Sequence, residues 1–229
     1  MPNRFNFARK TMSTELKIKV FNFNMIQVNT LVLYDETKEA VIVDPGMGSL
    51  YEQSALTDFI KVNSLVIKYI INTHPHIDHV LGNGFCVGTF KVPLLMHEAG
   101  LGIYTRSMAY GAAFGMSCEK SDFPDPDQYI KEGDVIRFGH QELQVLYTPG
   151  HADGSVCLSV PASKCVIVGD VLFADSIGRS DLPTGNHARL LESIQTKLMT
   201  LPDTTVVYPG HGPTTTIGSE KQNNPFLRI

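Results

Sequence analysis

Seven consecutive residues, Thr73–His79, carry the side chains of this 229-residue chain that are best suited to hold a metal ion. They read Thr-His-Pro-His-Ile-Asp-His and follow an apolar run over residues 65–71 that is typical of a buried β-strand. Crowded imidazoles lower each other's affinity for protons, whereas a divalent cation turns the same crowding into a favourable cluster. The stretch therefore predicts a metal site at the end of a strand.

Three more potential ligands follow further along the chain, each in or beside a glycine-marked turn after an apolar run. They are His151 in Thr-Pro-Gly-His, Asp170 in Gly-Asp and His211 in Pro-Gly-His-Gly. Strand ends are where a rigid scaffold presents loop residues for function. Ligand counting divides the seven candidates as follows: His74, His76 and His151 for one ion, Asp78, His79 and His211 for a second, and Asp170, whose two oxygens can bridge both. Two ions about 3.5–4 Å apart with a position open for water are used in hydrolysis.

Composition narrows the remaining classes of function. A chain with 43% apolar residues can bury one substantial core, so we expect a single domain over residues 17–229 after a flexible leader over residues 1–16. The net charge of −4 gives no indication of a nucleic-acid or membrane partner. No apolar stretch approaches the length of about 20 residues that a membrane span needs. We therefore expect a cytoplasmic protein, with its four cysteines as separate reduced thiols.

Strands and helices are interspersed along the chain, which favours stacked sheets covered by helices. A helix beginning near Ser49 is predicted, with Ser49 as its cap, and the glycine-punctuated residues 81–88 are predicted as a loop. A second long helix is predicted over residues 186–201. Strands are predicted at residues 17–23, 25–34, 39–43, 65–71, 92–96, 134–138, 142–147, 155–160, 165–168 and 205–208.

Residues 101–116 are rich in aromatic and methionine side chains and have two interpretations. They form either an ordinary core helix or a lid that lines a substrate pocket, because methionine and aromatic side chains adapt to ligands. Under the second interpretation, Tyr104 and Tyr110 would contact the substrate. Arg179, nine positions after Asp170, is another candidate and could bind a carboxylate of the substrate. The structural alternative is an ion pair between Arg179 and Asp181.

The order of these motifs resembles the metallo-β-lactamase fold superfamily, and within it the glyoxalase II-like hydrolases. The resemblance extends from about Lys17 to Leu227 and rests on Thr73–His79 followed by the three later ligands. It implies an α/β fold of the αββα type, with two mixed sheets flanked by helices and the site along one sheet edge. It also implies that Asp44, at a strand end, lies outside the ligand set and orients the ligand loop.

Departures from other branches of the superfamily narrow the resemblance. Its β-lactamases commonly lack a histidine at the position of His79, and flavodiiron proteins carry a glutamate at the position of His76. Typical glyoxalase II enzymes have a longer C-terminal region with basic residues for glutathione. Here eighteen residues follow His211, with Lys221 and Arg228 as the only basic ones. The ending resembles the short, compact glyoxalase II-like subgroup.

The resemblance implies hydrolysis of a small thioester, such as a hydroxyacylglutathione, by a hydroxide that bridges two metal ions. Zinc is favoured, with iron and manganese as alternatives, because each accepts imidazole and carboxylate ligands. Asp78 is predicted to be catalytic as well as a ligand, because it would orient the hydroxide. Two alternatives are a mononuclear iron dioxygenase that acts on a persulfide through His74, His76 and Asp170, and a non-catalytic metal-binding module.

Overall fold

Two six-stranded mixed sheets form the centre of the molecule. The computed structural model describes residues 15–113 and 118–228. In the first sheet the strands lie in sequence order, antiparallel at first and parallel from the third strand onward. Its strands are β1 (Lys17–Phe23), β2 (Val28–Tyr34), β3 (Glu39–Val43), β4 (Val66–Ile71), β5 (Leu94–Met96) and β6 (Gln128–Tyr129).

The second sheet has the order β14-β13-β10-β9-β8-β7 and is antiparallel except for the β10–β13 pair. Its strands are β7 (Val135–Phe138), β8 (Gln141–Tyr147), β9 (Val156–Val160), β10 (Cys165–Gly169), β13 (Val206–Pro209) and β14 (Thr215–Thr216). A small hairpin, β11 (Leu172–Phe173) and β12 (Ser176–Ile177), lies between β10 and the helix that follows.

Helices cover the outer face of each sheet, which gives the four layers of an αββα sandwich. They are α1 (Leu50–Val62), α2 (Ile77–Val80), α3 (Asn83–Phe90), α4 (Leu101–Tyr104), α5 (Ser107–Ala113), α6 (His187–Ser193) and α7 (Ile217–Asn223). Buried residues of α1 and α3 pack on the first sheet, and those of α6 and α7 pack on the second. A third apolar cluster fills the space between the sheets.

Alternation along the central strands explains this layering. In β3, Ala40 and Ile42 pack toward the helices, whereas Val41 and Val43 pack toward the second sheet. Successive side chains of a strand point to opposite faces, so a strand covered on both sides is apolar at every position. Helix α1 begins with the predicted cap, because Ser49 and Glu52 form a reciprocal capping box.

Most predicted elements are present, with three differences. Residues 83–90 form helix α3 and not a loop. Strand β2 begins at Val28 and not at residue 25, because Asn24 and Gln27 adopt positive φ values of 55° and 59° in a turn. The second long helix is divided into α6 and a π-helical segment, Ile194–Leu198. Residues 1–14 of the predicted leader lie outside the described residues, and no described helix is long and apolar enough to cross a bilayer.

A buried carboxylate, Asp35, links the two sheets at the end away from the predicted ligands. Its oxygens accept hydrogen bonds from the backbone and hydroxyl of Thr37, from the His140 backbone (2.7 Å) and from the Gln141 side chain (3.2 Å). Burial opposes ionisation of Asp35, but these hydrogen bonds outweigh it and lower its pKa below the ordinary value.

Asp35→Asn is therefore expected to lower the free energy of unfolding at pH 7 by about 1.5–3 kcal/mol, the range for hydrogen bonds to charged groups. Because the folded pKa lies below the unfolded value of about 3.9, this contribution is present above that value and is lost as the pH falls through the folded pKa. Urea unfolding of both proteins at pH 7 and pH 3 measures the difference. The exposed Asp203→Asn is the control, and an equal difference at both pH values would contradict the assignment.

Candidate metal centre

The first ligand group, which we define as His74, His76 and His151, assembles where β4 and β8 end. His76 Nδ1 lies 2.9 Å from His151 Nε2, and the rings of His74 and His151 are 4.9 Å apart between centroids. One ring nitrogen from each residue lies within 4.8 Å of the other two. The alternation of His74 and His76 along an extended segment lets both imidazoles point into one site.

The second ligand group, which we define as Asp78, His79 and His211, assembles beside the first. His211 Nε2 lies 3.0 Å from Asp78 Oδ2 and 3.3 Å from His79 Nε2. His79 Nε2 is in turn 3.5 Å from Asp78 Oδ2. Helix α2 supplies Asp78 and His79 as neighbours, and the loop after β13 supplies His211.

Asp170 lies between the two groups. Its Oδ2 is 3.7 Å from His151 Nε2 in the first group and also 3.7 Å from His211 Nε2 in the second, while Oδ1 is 3.4 Å from His79 Nε2. Asp170 follows β10 directly, and β10 pairs with β13, so the two strands bring Asp170 and His211 to one edge. This is the position that a bridging carboxylate would occupy.

The ligand atoms fit a divalent ion. Atoms bound about 2.1 Å from one ion in a tetrahedron are about 3.4 Å apart, which matches the 3.0–3.5 Å separations within the second group. In the first group one pair of nitrogens is 2.9 Å apart, and all three ligand atoms lie within 4.8 Å of one another. His74 Nε2 is buried and has no hydrogen-bond partner among the described residues. A buried nitrogen without a partner is costly in a folded protein, and a metal bond would satisfy it.

The charge state of the histidines differs between the groups. Burial, followed by the neighbouring imidazoles, lowers the pKa of His74 well below its usual value. Burial acts on His79 in the same direction, but the carboxylates of Asp78, Asp170 and Asp44 outweigh it and raise the pKa of His79 well above the usual value. The metal-free His74 is therefore neutral at pH 7, the form that binds metal, whereas His79 must release a proton to bind one.

Asp44 supports both groups without belonging to either. Its Oδ1 accepts a hydrogen bond from the Thr73 backbone (2.7 Å), and its Oδ2 accepts one from the Thr73 hydroxyl (2.6 Å). Oδ2 also lies 2.9 Å from His79 Nδ1, which turns His79 Nε2 toward the site. A carboxylate behind a ligating histidine fixes the tautomer and orientation of the ring. Asp44 thus contacts the ligand loop at Thr73 and His79, and its role in orienting metal ligands stays a prediction.

Glycines let the ligand loops approach one another closely. A Cβ on Gly210 would lie 2.2 Å from Asp170 Oδ1 and 2.7 Å from His79 Cε1, and one on Gly178 would lie 1.9 Å from the Asp170 carbonyl oxygen. No side chain fits at these distances. Gly210 is therefore required by the packing of the centre, whereas Gly212, on the other side of His211, adopts a positive φ of 73° that favours glycine.

The predicted substrate residues lie outside the ligand cluster. The Tyr104 hydroxyl is buried, donates to the Pro124 carbonyl (2.8 Å) and accepts from Asn83 (3.2 Å). Tyr110 is half-buried on α5, which packs against α2. The Arg179 guanidinium is exposed and paired with Asp181, the structural alternative, while its carbonyl lies 2.7 Å from His151 Nδ1. Substrate contact by these three residues stays a prediction.

The fold and site together define an α/β sandwich with a cluster that could hold metal ions, and comparison with known proteins agrees with this class. The family model for the metallo-beta-lactamase superfamily matches residues 24–211, and the chain belongs to this superfamily. A relative from Aquifex aeolicus, described as an uncharacterized protein, is 40% identical over 91% of this chain and 96% of its own length. The hydroxyacylglutathione hydrolase GloC of Haemophilus influenzae is 32% identical over 93% and 98% of the two chains.

Solved structures are similar over nearly the whole chain. BLEG-1, described as a B3 metallo-beta-lactamase, is 35% identical with a TM-score of 0.83 and covers 92% of this chain and 99% of its own. TTHA1623 in a di-iron-bound form is 33% identical, with a TM-score of 0.82 and coverage of 91% and 100%. ETHE1 from Myxococcus xanthus is 28% identical, with a TM-score of 0.74 and coverage of 91% and 83%. The histidine at position 79 disfavoured a resemblance to β-lactamases, yet BLEG-1, which is described as one, is similar over nearly the whole chain.

Proposed function

We propose that the protein is a hydrolase that cleaves small thioesters of the hydroxyacylglutathione type, and that it belongs to the short glyoxalase II-like subgroup. The observation that carries the proposal is the position of Asp170 Oδ2, 3.7 Å from a nitrogen of each ligand group. That position suits a site for two ions and the hydrolytic chemistry of such sites. The similarity to GloC supports the thioester.

Each residue of the site can be given a role in the proposed reaction. The first ligand group would hold one divalent ion and the second group the other, with Asp170 shared between them. Such an ion lowers the pKa of a water ligand to about 7 and polarises a carbonyl oxygen. Burial opposes ionisation of Asp78, but His79 and His211 outweigh it and lower its pKa, so Asp78 remains a carboxylate at neutral pH. It can therefore accept a hydrogen bond from the attacking water and orient it.

Protein loaded separately with zinc, iron or manganese is to be assayed on lactoylglutathione, with elemental analysis of each preparation. We expect thioester cleavage, and we expect His76→Ala to lose both metal and activity. His140→Ala is the matched control, since His140 lies away from the centre and should retain both. Bound metal without thioester cleavage would reject the proposed substrate. A β-lactam in the same panel tests the alternative raised by BLEG-1.

The second candidate is an iron-dependent persulfide dioxygenase, which the similarity to ETHE1 favours. His74, His76 and Asp170 are available to either chemistry. We rank hydrolysis first because a mononuclear site would leave the three residues of the second ligand group without an ion. If iron-loaded protein consumed oxygen in the presence of glutathione persulfide but did not cleave lactoylglutathione, the dioxygenase would replace the hydrolase as the first candidate. Metal-loaded protein inert toward every substrate would indicate a non-catalytic binding module.

A further inference from the structure

Helix α2 carries two of the candidate ligands, Asp78 and His79, but it is too short to be stable without contacts from the rest of the protein. An isolated helix of four residues is far below the length that is stable in water, and its last carbonyl groups lack partners within the helix. Two asparagine side chains donate to these carbonyls. Asn24 Nδ2 lies 3.1 Å from the Asp78 carbonyl oxygen, and Asn72 Nδ2 lies 3.3 Å from that of His79.

A third asparagine holds the loop that carries His211. Asn29 Nδ2 donates to the carbonyl oxygens of Pro209 (3.0 Å) and Gly212 (2.9 Å), on either side of the ligand. The Asn29 backbone N–H also donates to the Gly210 carbonyl at 2.6 Å. Every ligand of the second group therefore has an asparagine side chain bound to its own carbonyl or to those flanking it.

The orientation of each of the three amides is set by a second contact. The oxygen of Asn24 accepts from the backbone N–H two residues later (2.9 Å), which closes a local turn. The oxygen of Asn29 accepts from Asn22 (2.6 Å), and that of Asn72 accepts from Asn83 (2.9 Å). Each amide nitrogen is thereby directed toward the ligand loops.

The first ligand group is held differently. His151 Nδ1 lies 2.7 Å from the Arg179 carbonyl oxygen, and His74 Nδ1 lies 3.2 Å from the Thr73 hydroxyl. Among the described contacts, no asparagine side chain donates to the backbone of residues 74, 76 or 151. The two groups can thus be weakened separately.

We propose that Asn24, Asn29 and Asn72 are positioning residues for the second metal position. They hold the backbone of the second ligand group in the geometry that an ion requires, and their loss leaves the first group intact. Partners that orient metal ligands typically change metal affinity by about 10–100-fold when removed. The inference rests on the two-ion occupancy proposed above and is independent of the thioester substrate.

The experiment compares Asn24→Gly with wild type by titration of metal-free protein with Co²⁺. Glycine is chosen because Asn24 has a φ of 55°, which glycine adopts without strain. Asn63→Gly is the matched control, because Asn63 Nδ2 caps the Phe59 carbonyl of α1 (2.8 Å) away from the centre. Visible absorption of the bound cobalt reports each site, and thermal unfolding reports the fold.

We expect wild type and Asn63→Gly to bind two ions per chain. Asn24→Gly should bind the first ion with unchanged affinity and the second about 10–100-fold more weakly. Unchanged binding of both ions, or parallel weakening of both in a folded protein, would overturn the inference. Asn29→Ala, which removes two donors at another position, is measured in the same way and replaces Asn24→Gly if that variant does not fold. The experiment does not measure thioester cleavage, so its result would still hold if the protein did not cleave the proposed substrate.

Discussion

Asp170→Ala is expected to lower kcat/KM for lactoylglutathione by about 10³-fold or more. A metal ion contributes several kcal/mol to stabilisation of the transition state, and each 1.36 kcal/mol corresponds to a factor of ten. Asp170 is the only described carboxylate within 4 Å of nitrogens from both ligand groups, so its removal disturbs both metal positions at once. Bound metal is expected to fall from two ions per chain to one or fewer.

Steady-state kinetics and elemental analysis of the same preparations test this prediction. Asp58→Ala is the control, since Asp58 is an exposed carboxylate on α1, which packs on the outer face of the first sheet. Thermal unfolding of the metal-free proteins shows whether the fold is retained. Two bound ions together with near wild-type kcat/KM in Asp170→Ala would remove Asp170 from the bridging position and with it the basis for two-ion hydrolysis.

The clustering of the candidate ligands could be predicted from the sequence because metal chemistry restricts residue types, and their binding of metal stays a prediction. Few arrangements other than a metal site account for His74, His76 and His79 within six positions of one another after a buried strand. The asparagines that support the second group carry no comparable signal. Asn24, Asn29 and Asn72 act through carbonyls up to 183 positions away, and asparagine at turns and strand ends is common. Only the folded contacts distinguish them.

The prediction of a loop over residues 81–88 was wrong because the glycines in this stretch do not all mark turns. Glycine was interpreted as a helix breaker, yet Gly84 lies inside helix α3. A Cβ there would lie 2.1 Å from the Ser121 carbonyl oxygen, so the helix needs glycine to let the distant turn Lys120–Asp122 approach. Glycine required by a distant contact looks the same in sequence as glycine required by a turn.

Asp44→Asn is expected to weaken zinc binding by about 10–100-fold, the usual effect of losing a partner that orients metal ligands. The substitution is nearly isosteric, and asparagine tolerates the left-handed φ of 51° at this position. The carboxylate of Asp44 offers two oxygens to three donors, on Thr73 and His79. An amide has one oxygen and two N–H groups, so at least one of these buried donors loses its acceptor and faces another donor.

The free energy of unfolding of the metal-free protein should also fall, by about 3 kcal/mol, because buried donors are left without partners. Zinc titration and urea unfolding measure the two effects separately. Asp35→Asn is the matched control: it makes the same change at another buried, hydrogen-bonded carboxylate, and it should lose stability without losing zinc affinity. If the two variants lost stability alike and both retained wild-type zinc affinity, Asp44 would support only the fold. A selective loss of zinc affinity in Asp44→Asn would show that this carboxylate fixes His79 and the Thr73 backbone in the geometry that the metal centre needs.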